Sequence, residues 1–192
     1  MRLVTCKVCG EKFVKQRIGQ KTCSVKCAIE YARKDTEKKA KAAARLDRKV
    51  TKEKLKTRQD WIREAQAAFN KYVRIRDHGL PCISCGSMPD QKYGGTMDCS
   101  HYRSVGAAPH LRFNLHNVAA GCVKCNRYLS GNVVELRRGL IKRIGINKVE
   151  ELESNNKIAK FDIQYLERIK KIFSRKANNL ARIKKVIGDK EK

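Results

Sequence analysis

The sequence predicts a mostly helical α+β protein, built from small zinc-stapled units joined by long basic helices. Three observations carry that prediction. Eight of the nine cysteines fall into four close pairs, Cys6/Cys9, Cys23/Cys27, Cys82/Cys85 and Cys122/Cys125. The stretch from Ala28 to His78 holds no glycine or proline. The 192 residues carry a formal charge of +26, and only 6% of them are aromatic. A chain so charged and so poor in aromatic side chains cannot bury one large core, and small domains of this kind need staples. Eight thiolates make two tetrahedral four-sulfur sites, which suits zinc. Two structural zinc ions are therefore expected, one on Cys6, Cys9, Cys23 and Cys27, the other on Cys82, Cys85, Cys122 and Cys125.

The charge points to a polyanionic partner. Each Lys or Arg placed on a phosphate releases a condensed counterion, so nucleic acid is the first candidate, and no acidic block offsets the charge. No apolar run approaches the roughly 20 residues that span a bilayer. The N-terminal residues show no apolar stretch of a secretory signal. A cytoplasmic location is expected, and in that reducing compartment paired cysteines hold metal more often than they form disulfides.

Four segments follow in order. Residues 1–27 read as an N-terminal four-cysteine finger: a Cys-x2-Cys-Gly knuckle, Phe13, then a Cys-x3-Cys pair that opens a helix. Residues 28–78 read as a long basic helix or helix pair, rich in Ala, Lys, Arg and Glu up to Lys56. A first helix running from Ala28 to about Asp60 would reach roughly 50 Å at about 1.5 Å per residue. Lys38, Lys39, Arg45, Arg48 and Lys49 on it are expected to meet phosphates. Beyond it, Trp61, Ala65, Ala68, Phe69, Tyr72 and Val73 recur at helical spacing and should dock on the following domain.

Residues 79–131 hold the chemistry. The two knuckles are separated by 36 residues, more than an ordinary zinc ribbon needs. The insert carries Asp98-Cys99-Ser100-His101-Tyr102-Arg103, a turn, then Phe113-Asn114-Leu115-His116-Asn117-Val118, and Asn126-Arg127 follow the last cysteine. A strand, a loop, a second strand and a helix started by the second knuckle would fit, a ββα unit fixed by zinc. Residues 132–192 read as a helical basic region. Asn147 is expected to cap a short helix and Asp162 a long last one, whose polar face includes Lys170, Lys171, Arg175 and Lys176 as further DNA contacts.

His101, Asn117 and Asn126 are set between and just after two Cys-x2-Cys knuckles. In this they resemble the signature positions of the HNH (ββα-metal) nucleases. The wider arrangement is similar to the lambdoid-phage NinG (Rap) recombination endonucleases: a four-cysteine finger, a basic helix, Cys-Ser-His-Tyr, Leu-Arg-Phe-Asn and Cys-x-x-Cys-Asn-Arg-Tyr-Leu-Ser-Gly-Asn. The resemblance spans most of the chain. It implies a metal-dependent DNA endonuclease acting on branched recombination intermediates such as D-loops and Holliday-type junctions. It implies His101 as general base, Asn117 pinning the loop of the base or holding metal, and Asn126 as a metal ligand.

Physical chemistry is compatible with those roles. A neutral imidazole can take a proton from water. One magnesium or manganese ion can neutralise charge at the phosphate, and Asn117 and Asn126 offer it amide oxygens. Arg103 or Arg127 could brace the phosphate. Many HNH enzymes carry a metal ligand immediately before the base, where this chain has Ser100. Asp98, or water, is expected to fill that place.

Other readings stand beside these. His101 could instead ligate zinc, Cys99 reads as a buried strand residue, and His116 as structural or phosphate-contacting. The whole chain could be a non-catalytic zinc-finger nucleic-acid binder or a restriction-type HNH enzyme. Cutting two strands of a junction needs two active sites, so a homodimer is expected.

Overall fold

The computed structural model describes residues 3–88 and 97–188, with side chains as far as Lys185. The order is β1 (Leu3–Thr5), β2 (Lys12–Val14), α1 (Val25–Lys54), α2 (Arg58–Arg76), β3 (Met97–His101), β4 (Val118–Cys122), α3 (Val133–Ile144), α4 (Ile146–Ser154) and α5 (Ile163–Gly188). The α+β, mostly helical class holds, with two small antiparallel strand pairs, β1–β2 and β3–β4. The chain divides into two compact units, Met1–Lys56 and Thr57–Lys192. No described helix is long and apolar enough to cross a membrane.

In the first unit, β1 pairs with β2 in the register Val4↔Phe13, and the first knuckle lies in the turn between them. Gly10 has φ +80°, a left-handed conformation that costs a glycine little, and its N–H closes the knuckle on the Cys6 carbonyl at 3.1 Å. Gly86 does the same after Cys85, with φ +73° and a 2.9 Å bond to the Cys82 carbonyl. Ser24 caps α1 by accepting from the Cys27 N–H, so the second cysteine pair opens a helix.

No residue of α1 is buried. Eleven Lys and Arg stand on it against five Asp and Glu. Lys34, Lys38, Lys41, Arg45, Arg48 and Lys52 recur at four and three, which puts them on one face. The helix is shorter than the 28–60 expectation. It stops at Leu55, and Thr57 and Asp60 form a reciprocal capping box that starts α2. That Thr-x-x-Asp signal is present in the sequence.

The core of the second unit lies where α2 and α5 meet the strand pair. Ala65, Phe69 and Val73 of α2 pack with Leu166 and Phe173 of α5, with Cys99 of β3, and with Phe113 and Val118. The rings of Phe69 and Phe173 meet edge to face at 4.8 Å. A second cluster joins Ala119 of β4 to Leu136, Leu140 and Val149 of α3 and α4. Gly139 lets α3 press on the knuckle: a Cβ there would fall 2.1 Å from the Ile83 carbonyl oxygen.

Three local expectations change. The second strand begins at Val118, not Phe113, because Leu115–Asn117 forms a 3-10 turn held by the Asn114 side chain. The second knuckle is followed by a five-residue π turn, Lys124–Tyr128, and not by a regular helix. Ser130, Gly131 and Asn132 all take positive φ and stop it. Asn147 lies inside α4, which starts directly after Gly145. Asp162 does cap α5, its Oδ1 accepting from the Tyr165 N–H at 2.6 Å.

The outer edge of β4 is closed by an ion cluster absent from the sequence reading. Asp77, whose side chain is 1% exposed, accepts from Arg76, from Arg143 and from the Ala120 N–H. Arg76 also donates to the Val118 carbonyl at 3.0 Å, and the Ile83 N–H donates to the Ala120 carbonyl at 3.2 Å. Side chains and a knuckle amide thus satisfy the edge that a third strand would otherwise pair. Burial pushes the Asp77 carboxyl up, but the bonds from Arg76, Arg143 and Ala120 outweigh it and hold the group at about 2. The depressed value gives stability that is present above the ordinary carboxylate range and lost as pH falls toward 2. Asp77→Ala leaves two guanidinium groups facing a buried gap. We expect it to cost about 3–5 kcal/mol in denaturant unfolding. A loss under about 1 kcal/mol would mean that the edge is held by packing alone.

Candidate functional site

Both cysteine sets assemble. In each, the four sulfur atoms lie within 4.8 Å of one another. The Cys23 and Cys27 sulfurs are 3.8 Å apart, as are those of Cys85 and Cys122. Tetrahedral zinc with bonds of about 2.3 Å spaces its thiolates by roughly 3.8 Å. A disulfide would need about 2.05 Å. The Cys6, Cys9, Cys23, Cys27 set and the Cys82, Cys85, Cys122, Cys125 set therefore suit structural zinc. Backbone amides face the second set, with Cys122 N–H donating to the Cys82 sulfur at 3.2 Å. Cys99 belongs to neither. It is buried in β3, and burial pushes its thiol up to about 12.

The second cysteine set lies at the Met97↔Cys122 end of the β3–β4 pair, whose register runs to His101↔Val118 at the other end. His101 ends β3. Its Nε2 lies 3.0 Å from the Arg112 carbonyl oxygen. A carbonyl only accepts, so Nε2 carries the proton and the neutral ring keeps its lone pair at Nδ1. The half-buried ring lies 6.4 Å from that of Phe69. Burial lowers its pKa from the ordinary 6.5; the Arg112 carbonyl opposes this, the Arg112 charge adds to it, and the Cys99 backbone opposes it. His101 stands apart from both sulfur clusters, so the zinc-ligand reading of it falls.

Strand alternation sends Asp98 and Ser100 to the face opposite Cys99 and His101. Asn126 bridges the first two. Its Nδ2 donates to Asp98 at 3.1 Å, and its Oδ1 accepts from the Ser100 hydroxyl at 2.9 Å. Arg127 grips both Asp98 oxygens, at 2.7 and 2.9 Å. That guanidinium is the main cause holding the Asp98 carboxyl below its usual range. Gly121 makes the room, since a Cβ there would lie 2.4 Å from the Ser100 hydroxyl oxygen. The described residues show no hydrogen bond from His101 to this cluster.

Two candidate assignments are corrected. Asn117 is fully buried, and both ends of its amide are spent on backbone. Its Oδ1 accepts from Arg103 N–H at 2.8 Å, and its Nδ2 donates to the carbonyls of Arg103 at 3.0 Å and Leu111 at 3.3 Å. It pins the loop after His101, and a metal cannot reach it. The Arg103 guanidinium faces inward, donating to the carbonyls of Leu152, Glu153 and Asn155 at 3.0, 3.2 and 2.7 Å. It caps the end of α4 and is not placed to brace a phosphate.

Residues 1–184 match the family described as Bacteriophage Lambda NinG protein. The chain belongs to the NinG family. It is 40% identical to "Protein ninG" of Escherichia phage lambda, over 82% of this chain and 80% of the relative. It is 39% identical to "Protein ninG" of Enterobacteria phage H19B, over 91% of this chain and 92% of the relative. The "Protein ninG" of Salmonella phage P22 is 40% identical, over 82% of this chain and 81% of that one. No solved structure matches.

In this NinG-family chain the basic candidates divide by what already holds them. Lys38, Arg45, Arg48 and Lys49 are exposed on α1, while Lys39 is paired with Asp35 at 2.7 Å. On α5, Lys171 and Arg175 are exposed, and Lys176 stands 5.7 Å over the Phe173 ring. Lys170 is tied to Glu64 at 2.7 Å and lies over Trp61, so it serves the α2–α5 contact. Sequence reasoning missed Arg112, because a backbone carbonyl has no residue signature. It also missed Tyr102 and Arg137, which converge on Glu153.

Proposed function

We propose that this NinG-family protein is a metal-dependent DNA endonuclease of the HNH type, hydrolysing phosphodiesters in branched recombination intermediates. The observation that carries the reading is the His101 imidazole. It ends a strand whose pair closes at its other end on a four-cysteine set, burial favours its neutral form, and the bond to the Arg112 carbonyl puts the proton on Nε2.

Asp98 and Asn126 carry oxygen donors of the kind magnesium or manganese prefers, but Arg127 holds both Asp98 oxygens and the Ser100 hydroxyl holds Asn126 Oδ1, while Asn117 is buried on backbone. An ion there would have to displace Arg127 from Asp98 and would lie on the strand face opposite His101, so the hydrolysis does not pass through it; a divalent ion bound with the phosphate would supply charge neutralisation. His101 Nδ1 takes a proton from water as the water oxygen bonds to phosphorus. The P–O3′ bond breaks, leaving a 5′-phosphate and a 3′-oxygen that takes a proton from solvent. Asn117 holds the loop of the base, and the exposed cations of α1 and α5 attract the backbone.

One observation favours the non-catalytic zinc-finger reading: Arg127 already neutralises Asp98. Incubation with supercoiled plasmid, linear duplex and a four-way junction, each with magnesium, manganese or chelator, separates the two. Metal-dependent nicking with preference for the junction is expected. Binding without cleavage under every metal condition would establish the non-catalytic reading.

A further inference from the structure

A concavity of about 830 Å³ lies in the second unit, away from Asp98 and Asn126, between the start of α5, the 158–162 segment and His110. Phe161 and Tyr165 line it, stacked with ring centroids 5.0 Å apart and planes 10° from parallel. Phe113 is tilted against both from the core side, at 5.3 and 6.3 Å, and fixes them in place. Arg168 stands 5.6 Å over the Tyr165 ring. Lys160 and Arg168 are exposed and have no carboxylate partner among the described residues. The one acid of the lining, Asp162, spends an oxygen on the Tyr165 N–H as helix cap.

A half-buried aromatic pair flanked by cations with no carboxylate partner among the described residues matches one ligand chemistry: a flat base joined to a phosphate. Resting on the DNA reading above, we infer that this concavity takes one unpaired nucleotide of the DNA. The base stacks on the Phe161–Tyr165 pair, and the phosphate meets Lys160 and Arg168. Bases inside a continuous duplex have both faces covered, so only a branch point, gap or end can supply one. Phe113 follows directly on Arg112, whose carbonyl holds His101. One loop thus carries both the tether of the proposed base and the anchor of the pocket.

The test is equilibrium binding of the full-length zinc-loaded protein to a plain duplex and to a fork of equal length. The fork carries one unpaired 2-aminopurine at its branch. The fork should bind about tenfold more tightly, in line with one base stacked on an aromatic ring, and 2-aminopurine emission should be quenched. Tyr165→Leu should abolish both effects and Tyr165→Phe should keep them. The exposed double variant Lys160→Ala/Arg168→Ala should lose the fork preference, and it decides the matter if Tyr165→Leu fails to fold. Equal fork and duplex affinity with unchanged emission overturns the pocket while leaving DNA binding intact. Absence of binding to either DNA overturns the DNA reading with it.

Discussion

His101→Ala is expected to lower DNA cleavage by roughly 10²- to 10⁴-fold, the usual contribution of a positioned general base, while binding to the same DNA is unchanged. The ring lies 6.4 Å from that of Phe69 and its Nε2 donates to the Arg112 carbonyl, so retained binding also shows that the variant keeps its fold. The pH profile makes the assignment sharper. The base must be neutral to act, so the rate falls as pH drops through its pKa. Burial is the largest cause shifting that pKa, and it shifts it down. The acid limb of the cleavage rate should therefore lie below the ordinary imidazole value of about 6.5. The measurement is single-turnover cleavage of a junction between pH 4.5 and 8 with metal saturating. Undiminished cleavage by His101→Ala, or a limb above the ordinary value, would remove His101 from the role of base.

Cys125→Ser is expected to reduce bound zinc from two ions to one and to unfold the second unit. Zinc held by four thiolates contributes on the order of 10–16 kcal/mol, comparable to or above the whole stability of a small domain. The strand pair gives little support without it. β3 and β4 are five residues each, and the Cys125 backbone and sulfur carry the π turn through bonds to Gly131 and Asn132. Trp61, the single tryptophan, lies in α2 and reports on this unit. Its fluorescence and the zinc content, read together, give the result. Cys6→Ser makes the contrast: one zinc is again lost, but the Trp61 signal and its melting transition should be retained, because Cys6 belongs to the first compact unit. A Cys125→Ser protein with native Trp61 fluorescence and one zinc would show that the knuckle decorates the fold without holding it.

How far the sequence could be read differs by kind of feature. The two zinc sets were legible because a metal ligand pair is a local pattern, and so were the helices, where propensity and apolar spacing act over a few turns. Even the break between α1 and α2 is written in Thr57 and Asp60, whose reciprocal capping box starts α2. The strand carrying His101 was legible from its alternation, but the second strand was misplaced by several residues. There the Asn114 side chain holds a turn that an apolar pattern cannot report. Polar side chains carry the weakest local signal. Arg103 looked like a phosphate clamp beside the base and turned out to cap a helix some 50 residues later.

The sequence by itself therefore determined which cysteines pair into four-sulfur sets suited to zinc, where most helices run, that the surface is strongly basic, and that His101 stands between two knuckles. Tertiary structure alone decided what each polar group meets. It put Arg127 on Asp98, Asn117 on the loop backbone, Asp77 under the sheet edge, and the Arg112 carbonyl on His101. The reason is range. Ligand spacing and helix propensity act between near neighbours, while a buried hydrogen bond is satisfied by whichever group folding brings within about 3 Å, however distant in the chain.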